Sequence, residues 1–125
     1  MRRMCLAALV MVIIPMSATA DEFRALLDES DALLKAGLQR VADPTTSGLY
    51  LKAYHLAAKA ADMQPDSYEA NWKAARLARC YCGQIRWFLI KDWKKECVRV
   101  AKPAMKYGQR AIELEPKRVE GHFWY

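Results

Sequence analysis

The chain repeats itself, and the repeat narrows what it can fold into more than any other feature. Residues 65–73 read Pro-Asp-Ser-Tyr-Glu-Ala-Asn-Trp-Lys, and residues 116–124 read Pro-Lys-Arg-Val-Glu-Gly-His-Phe-Trp. The proline, the glutamate, a small residue and an aromatic recur 51 residues apart. Before each proline, alanines stand at matched offsets: Ala53 and Ala60 before Pro65, Ala104 and Ala111 before Pro116. Small residues let paired helices approach closely, and proline turns the chain into the next helix. A unit of this kind cannot bury its apolar face alone, so several must stack. The expected class is all-α, built from stacked antiparallel helix hairpins.

Periodicity supplies the elements. Phe23, Leu26, Leu27, Leu33 and Leu34 share one face of a first helix, with Ser30 in the turn between them, Asp21 as its cap and Gly37 as its end. Residues 43–48 form a turn. A second helix reaches Met63, with Leu49, Ala53, Leu56, Ala57 and Ala60 inside, and stops at Pro65. Asp66 and Glu69 have capping-box spacing and open a third helix, Tyr68 to Cys82, ended by Gly83. Residues 84–92 interrupt. A fourth helix runs from about Asp92 to Leu114, with Pro103 as a kink or break. Pro116 ends it, and a fifth begins after Lys117. One full hairpin, a second with an insertion and the start of a third are visible. The expectation is therefore a repeat array incomplete at its C-terminal end, with Phe123, Trp124 and Tyr125 uncovered and prone to self-association.

The alanine and proline spacing, A-x(6)-A-x(4)-P, resembles the second half of a tetratricopeptide unit, whose usual period is about 34 residues. The run Tyr68 to Gly83, with the stretch Ala104 to Tyr125, looks like exported bacterial tetratricopeptide proteins. It is similar in particular to the T-component proteins of tripartite ATP-independent periplasmic transporters. Eukaryotic regulators of microtubule dynamics share a similar Trp72-Lys73-Ala74-Ala75-Arg76 pattern. The resemblance covers residues 50–125 and departs from the pattern at Ala74, at Pro103 and in its three cysteines. It implies a right-handed solenoid over residues 21–125 that docks a partner such as a periplasmic binding protein, without catalysis.

Residues 1–20 read as a secretory signal. Arg2 and Arg3 are the basic start, Cys5 to Ile14 the apolar stretch, and Ala18-Thr19-Ala20 the small-x-small cleavage site. The expected location is the periplasm or the exterior, with an uncleaved anchor as the alternative. Removal of the signal leaves 18 basic and 14 acidic side chains, a net of +4. Their distribution is uneven. Residues 21–72 carry five basic and nine acidic groups, whereas residues 73–110 carry eleven basic groups against only Asp92 and Glu96. Such a block is either the solvated outer face of helices or a surface for an anionic ligand, an acidic protein or lipid headgroups. Nothing in the pattern points to nucleic acid.

Cys80, Cys82 and Cys97 survive the signal's removal. In an oxidising compartment, Cys97 is expected to pair with Cys80 or with Cys82. His55 and His122 lack ligand partners, so no metal site is expected, and no cofactor. No nucleophile–base pair, glycine-rich phosphate loop or framed carboxylate pair points to an enzyme. The candidate binding residues are Trp72, Arg76 and Arg79. Each has two readings: Trp72 as core aromatic or ligand platform, and Arg76 and Arg79 as stacked or paired cations or as ligand-facing ones. The segment 86–95 mixes Trp87, Phe88, Leu89, Ile90 and Trp93 with Arg86, Lys91, Lys94 and Lys95. It is either an insertion that buries its aromatics over the hairpin or a seat on a membrane surface. Two function classes follow: a scaffold that binds a protein or a small anion, and a peripheral membrane-surface protein.

Overall fold

The computed structural model describes residues 16–125, and these are all-helical. Among them are α1 (Met16–Leu38), α2 (Ser47–Met63), α3 (Tyr68–Trp87), α4 (Trp93–Leu114) and α5 (Val119–Trp124), with a 3-10 turn at Pro44–Thr46 ahead of α2. Each long helix packs on the next in chain order, and α5 rests on both α3 and α4. Two apolar clusters hold the layers together. The larger joins Leu34, Tyr54, Leu77, Tyr81, Ile85 and Val100, drawn from four helices. The smaller packs Phe23, Leu26 and Leu27 of α1 on Ala60, Ala61 and Ala70.

Alanine makes this stacking close. Ala53, Ala57, Ala60 and Ala61 of α2 have 0% exposure, because α2 lies between α1 and α3 and only a methyl fits at those contacts. Ser30 fits one such contact on the α1 side. Its buried hydroxyl donates to the Ala53 carbonyl at 2.9 Å, which offsets the cost of taking it out of water.

The 51-residue repeat is present in the backbone. Gln64 and Glu115 end α2 and α4 with φ/ψ of −130/82° and −140/78°. Their N–H groups reach back to the Ala60 and Ala111 carbonyls at 3.0 and 3.1 Å. The amides of Ser67 and Arg118 then close the turns onto Gln64 and Glu115. A side-chain lock repeats as well. Asn71 Nδ2 donates to the Pro65 carbonyl at 3.1 Å, and His122 Nε2 bonds the Pro116 carbonyl at 2.7 Å. A carbonyl only accepts, so that nitrogen of His122 carries the hydrogen. Tyr68 ties the two units together: its hydroxyl accepts from the Gly121 amide at 3.0 Å and donates to Glu120 at 3.1 Å.

Several boundaries differ from the sequence expectation. α1 runs unbroken through Ala18-Thr19-Ala20, so Asp21 is not its cap. Gly37 does not end it but lies buried in its last turn, because the Tyr50 ring would sit 2.9 Å from any Cβ there. Ser67, not Asp66, caps α3, its hydroxyl accepting from the Ala70 amide at 3.2 Å. Gly83 does not end α3, because Ile85, only 2% exposed, extends the buried stripe of Leu77, Ala78 and Tyr81 by a further turn. The interruption shrinks to Phe88–Asp92, and the long period comes from a 20-residue α3 and a 22-residue α4. Pro103 does not break α4; it is exposed, so water can take the carbonyl that loses its amide partner. The apolar stretch Cys5–Ile14 lies outside the described residues. Among the described residues no helix is long and apolar enough to cross a membrane.

Candidate functional site

Trp72, Arg76 and Arg79 follow one another along α3 at helical spacing. Trp72 is not in the core. The buried stripe of α3 passes through Ala70, Ala74, Leu77, Ala78 and Tyr81, and Trp72 stands two residues, about 200°, around the helix from Ala74. It is half-buried and lines a shallow depression of about 540 Å³ with Tyr68, Glu69, Lys73, Glu115 and Arg118. The Arg76 guanidinium stacks on its ring, 4.7 Å from the centroid, and Lys73 Nζ lies 5.8 Å away.

The cations of α3 are met by carboxylates of α1, and less so with each turn. Lys73 is buried. Its Nζ donates to Asp31 of α1 at 2.6 Å and to Glu69 at 2.8 Å. Glu69 is held from its other side by Arg24 of α1, at 3.0 and 3.2 Å. The Arg24 hydrogen bond, with Lys73 behind it, pulls the Glu69 carboxyl down to about 2 against the opposing effect of burial. Arg76 comes next, with only a 3.6 Å contact to Asp31. Its Nε is buried with no hydrogen-bond partner. Burial lowers the pKa of this guanidinium, with Asp31 acting against the shift. Arg79 is exposed, and no carboxylate among the described residues pairs with it. It borders a separate apolar depression of about 310 Å³ with Cys82, Met105, Trp124 and Tyr125. The structure thus joins Trp72 and Arg76 by stacking and leaves Arg79 one turn further on. The Glu69–Lys73 pairing is legible as an i,i+4 spacing. Arg24 and Asp31 join from another helix, and no local signal marks them.

A second groove, of about 550 Å³, lies between α2 and α4 and is lined by Tyr54, His55, Asp62, Arg99 and Tyr107. The Tyr107 hydroxyl donates to Asp62 across it at 2.9 Å, and burial together with that bond raises the tyrosine's pKa. Beside it, burial and a hydrogen bond to Glu96 push Tyr81 up to about 12. Arg99 first, then Tyr81, hold Glu96 at about 2. These aromatic–carboxylate pairs pin helices and expose no nucleophile.

The three thiols are free in this structure. Cys82 and Cys97 face one another, each sulfur directed at the other's carbonyl at 3.8 and 3.7 Å. Cys80 stands apart, near Tyr50 and Arg76. Burial, then the hydrogen bond with Cys97, pushes the Cys82 thiol up to about 12. Among the described residues no three His, Cys, Asp or Glu side chains group closely enough to hold a metal ion.

The segment 86–95 buries its aromatics only in part. Trp87 is 80% exposed and Leu89 75%, and only Phe88 and Trp93 are half-buried. Trp93 packs against the core that Ile85 and Val100 close, while Trp87 and Leu89 project away from it. No family model matches the chain, and no curated protein or solved structure is significantly similar to it.

Proposed function

We propose that this chain is a non-catalytic helical-repeat scaffold, a right-handed solenoid of tetratricopeptide type, that binds an anionic group on its α3 surface at Trp72, Arg76 and Arg79. The observation that carries the reading is the falling commitment of the α3 cations: Lys73 is paired twice, Arg76 once at 3.6 Å with an unbonded buried Nε, and Arg79 not at all among the described residues. A stacked arginine whose terminal N–H groups have only a 3.6 Å contact to Asp31 suits a carboxylate, because its planar fork binds such a group in two places. A carboxylate-bearing protein segment fits the length of the surface, and a small anion is the minimal ligand. On this reading the signal-like residues 1–20 export the scaffold to the periplasm or the exterior, or anchor it there uncleaved. The resemblance to transporter T-components makes a periplasmic binding protein the kind of partner to test. Absence of catalysis fits the Cys80 and Cys82 thiols, whose pKa values burial raises, which makes them poorer nucleophiles.

The test is fluorescence anisotropy of a labelled acidic peptide with a free C-terminal carboxylate. The double variant Arg76→Ala, Arg79→Ala should weaken binding by at least about tenfold, since a hydrogen bond to a charged group is worth about 1.5–3 kcal/mol. Equal binding by both proteins, or none by the parent, contradicts the reading. In the oxidising compartment that the signal implies, Cys82 and Cys97 are the pair placed to bridge, with Cys80 left free. Peptide mapping without reductant checks this, and a Cys80–Cys97 bridge would refute it.

A further inference from the structure

One end of the molecule carries an apolar tip built from two loops. The connection after α1 leaves Leu38 and Val41 at 56% and 53% exposure, and the connection after α3 leaves Trp87, Leu89 and Ile90 at 80%, 75% and 39%. The loops are fixed to each other. Gln84 Nε2 donates to the Val41 carbonyl at 3.2 Å and to Thr46 Oγ1 at 2.9 Å, and Val41 and Trp87 line one shallow depression.

Leu89 is informative because folding gains little from it. α3 ends in a Schellman turn: the Ile90 amide reaches back to the Ile85 carbonyl at 3.0 Å, and the Leu89 amide to that of Arg86 at 3.1 Å. The residue at this position adopts a left-handed conformation, here φ 48°, where glycine is usual and a branched side chain is strained. A leucine that bears that strain while 75% exposed adds little to the core of the described fold.

Charge identifies the occupant. Arg86, Lys91, Lys94 and Lys95 are all exposed around the tip. The acids nearby are committed: Asp43 is bound by Arg40 and by Thr45, and Glu96 by Arg99 and Tyr81. Asp92 alone stands against four cations. Protruding apolar points, one of them a tryptophan, ringed by lysine and arginine match a bilayer interface with anionic headgroups. A protein partner would instead need a pocket shaped to these points. We propose that this tip, Leu38, Val41, Trp87, Leu89 and Ile90 with Arg86, Lys91, Lys94 and Lys95, docks the protein on an anionic lipid surface. This goes beyond the anion-binding role of Arg76 and Arg79 and is independent of it.

The test uses the full chain with vesicles of phosphatidylcholine, with and without phosphatidylglycerol, whose acyl chains are brominated. Brominated tails quench only tryptophans that enter the interface, and the difference between the parent and Trp87→Phe isolates Trp87. Quenching of Trp87 is expected on vesicles containing phosphatidylglycerol. The triple variant Lys91→Gln, Lys94→Gln, Lys95→Gln should need on the order of a hundredfold more lipid, since each surface cation contributes about fivefold. Leu89→Gly should weaken quenching while leaving the melting temperature unchanged or raised, a pairing that a merely structural leucine would not give. Unquenched Trp87, equal quenching on phosphatidylcholine alone, or a Leu89→Gly protein that melts lower overturns the proposal. Unquenched Trp87 whose emission responds to added polyglutamate would instead mark the tip as a protein-docking surface.

Discussion

The two ends of α3 are made of the same materials and behave differently. At its start, Trp72 stands among Lys73 and Arg76; at its close, Trp87 stands beside Arg86 and close in sequence to Lys91. Near Trp72 the cations meet Asp31 and Glu69, so charge is spent holding α1 against α3. Near Trp87 only Asp92 is uncommitted against four cations, and both the aromatic ring and the cations face solvent. The difference comes from where the carboxylates lie. Nine of the fourteen acidic groups fall in residues 21–72, and α1 carries its share alongside only the first half of α3. Tryptophan with basic neighbours is therefore structural or available for ligands according to what the adjacent helix supplies.

The largest effect is expected at the locked end. Asn71 is wholly buried; its amide donates to the Pro65 and Ser67 carbonyls, and Arg110 donates to its oxygen at 3.3 Å. Asn71→Ala should cost about 2–3 kcal/mol in urea unfolding, since it removes three side-chain hydrogen bonds, to the Pro65 and Ser67 carbonyls and from Arg110, at about 1 kcal/mol each. Arg79→Ala, by contrast, should stay within about 0.5 kcal/mol. A loss for Arg79→Ala as large as that for Asn71→Ala would erase the distinction. Next in size, Lys73→Met should cost about 1–2 kcal/mol, because it takes the shared cation from between Asp31 and Glu69, leaving Glu69 only Arg24 and Asp31 only the 3.6 Å contact with Arg76. The figure is below that for a deep ion pair because both carboxylates are partly exposed.

Acid should act more gently, at this locked end through Glu69 and at the α3–α4 contact through Glu96. Glu69 and Glu96 are held at about 2 in the folded chain, against an ordinary value of 4.5. A carboxyl with a depressed folded pKa contributes its stability above its unfolded pKa and loses it as pH falls through the folded value. Stability is therefore expected to decline between about pH 4.5 and 2, and Glu69→Gln should flatten part of that slope. Melts at stepped pH measure this; an unchanged slope in Glu69→Gln would mean that the α1–α3 ladder carries no stability. The smallest effect is at the tip, where Leu89→Gly relieves left-handed strain and should stabilise by up to about 1 kcal/mol.

Much of the architecture is legible in the sequence. The repeat spacing predicts the turns at Pro65 and Pro116, and leucine periodicity predicts the buried face of α1, because both depend on local rules. The errors lie where tertiary packing overrides those rules. Gly83 reads as a stop, yet the buried Ile85 repays another helical turn. Trp72 reads as core by its place in the repeat, whereas its angle around the helix puts it beside Arg76. Trp87 and Leu89 admit two readings, burial over the hairpin or a seat on a membrane surface; a sequence does not show that the core beneath them is already closed by Ile85, Val100 and Trp93. The candidate site was legible in its α3 residues and not in Asp31 or Arg24, which reach it from α1.

The graded commitment of the α3 cations can be observed directly by side-chain NMR of arginine and lysine during titration with the acidic peptide. The Arg76 and Arg79 Nε–H signals should move with added peptide and saturate together, while Lys73 Nζ, already bound at 2.6 and 2.8 Å, should not. Movement of Lys73 with still signals from Arg76 and Arg79, or no movement at any of the three, would contradict the account.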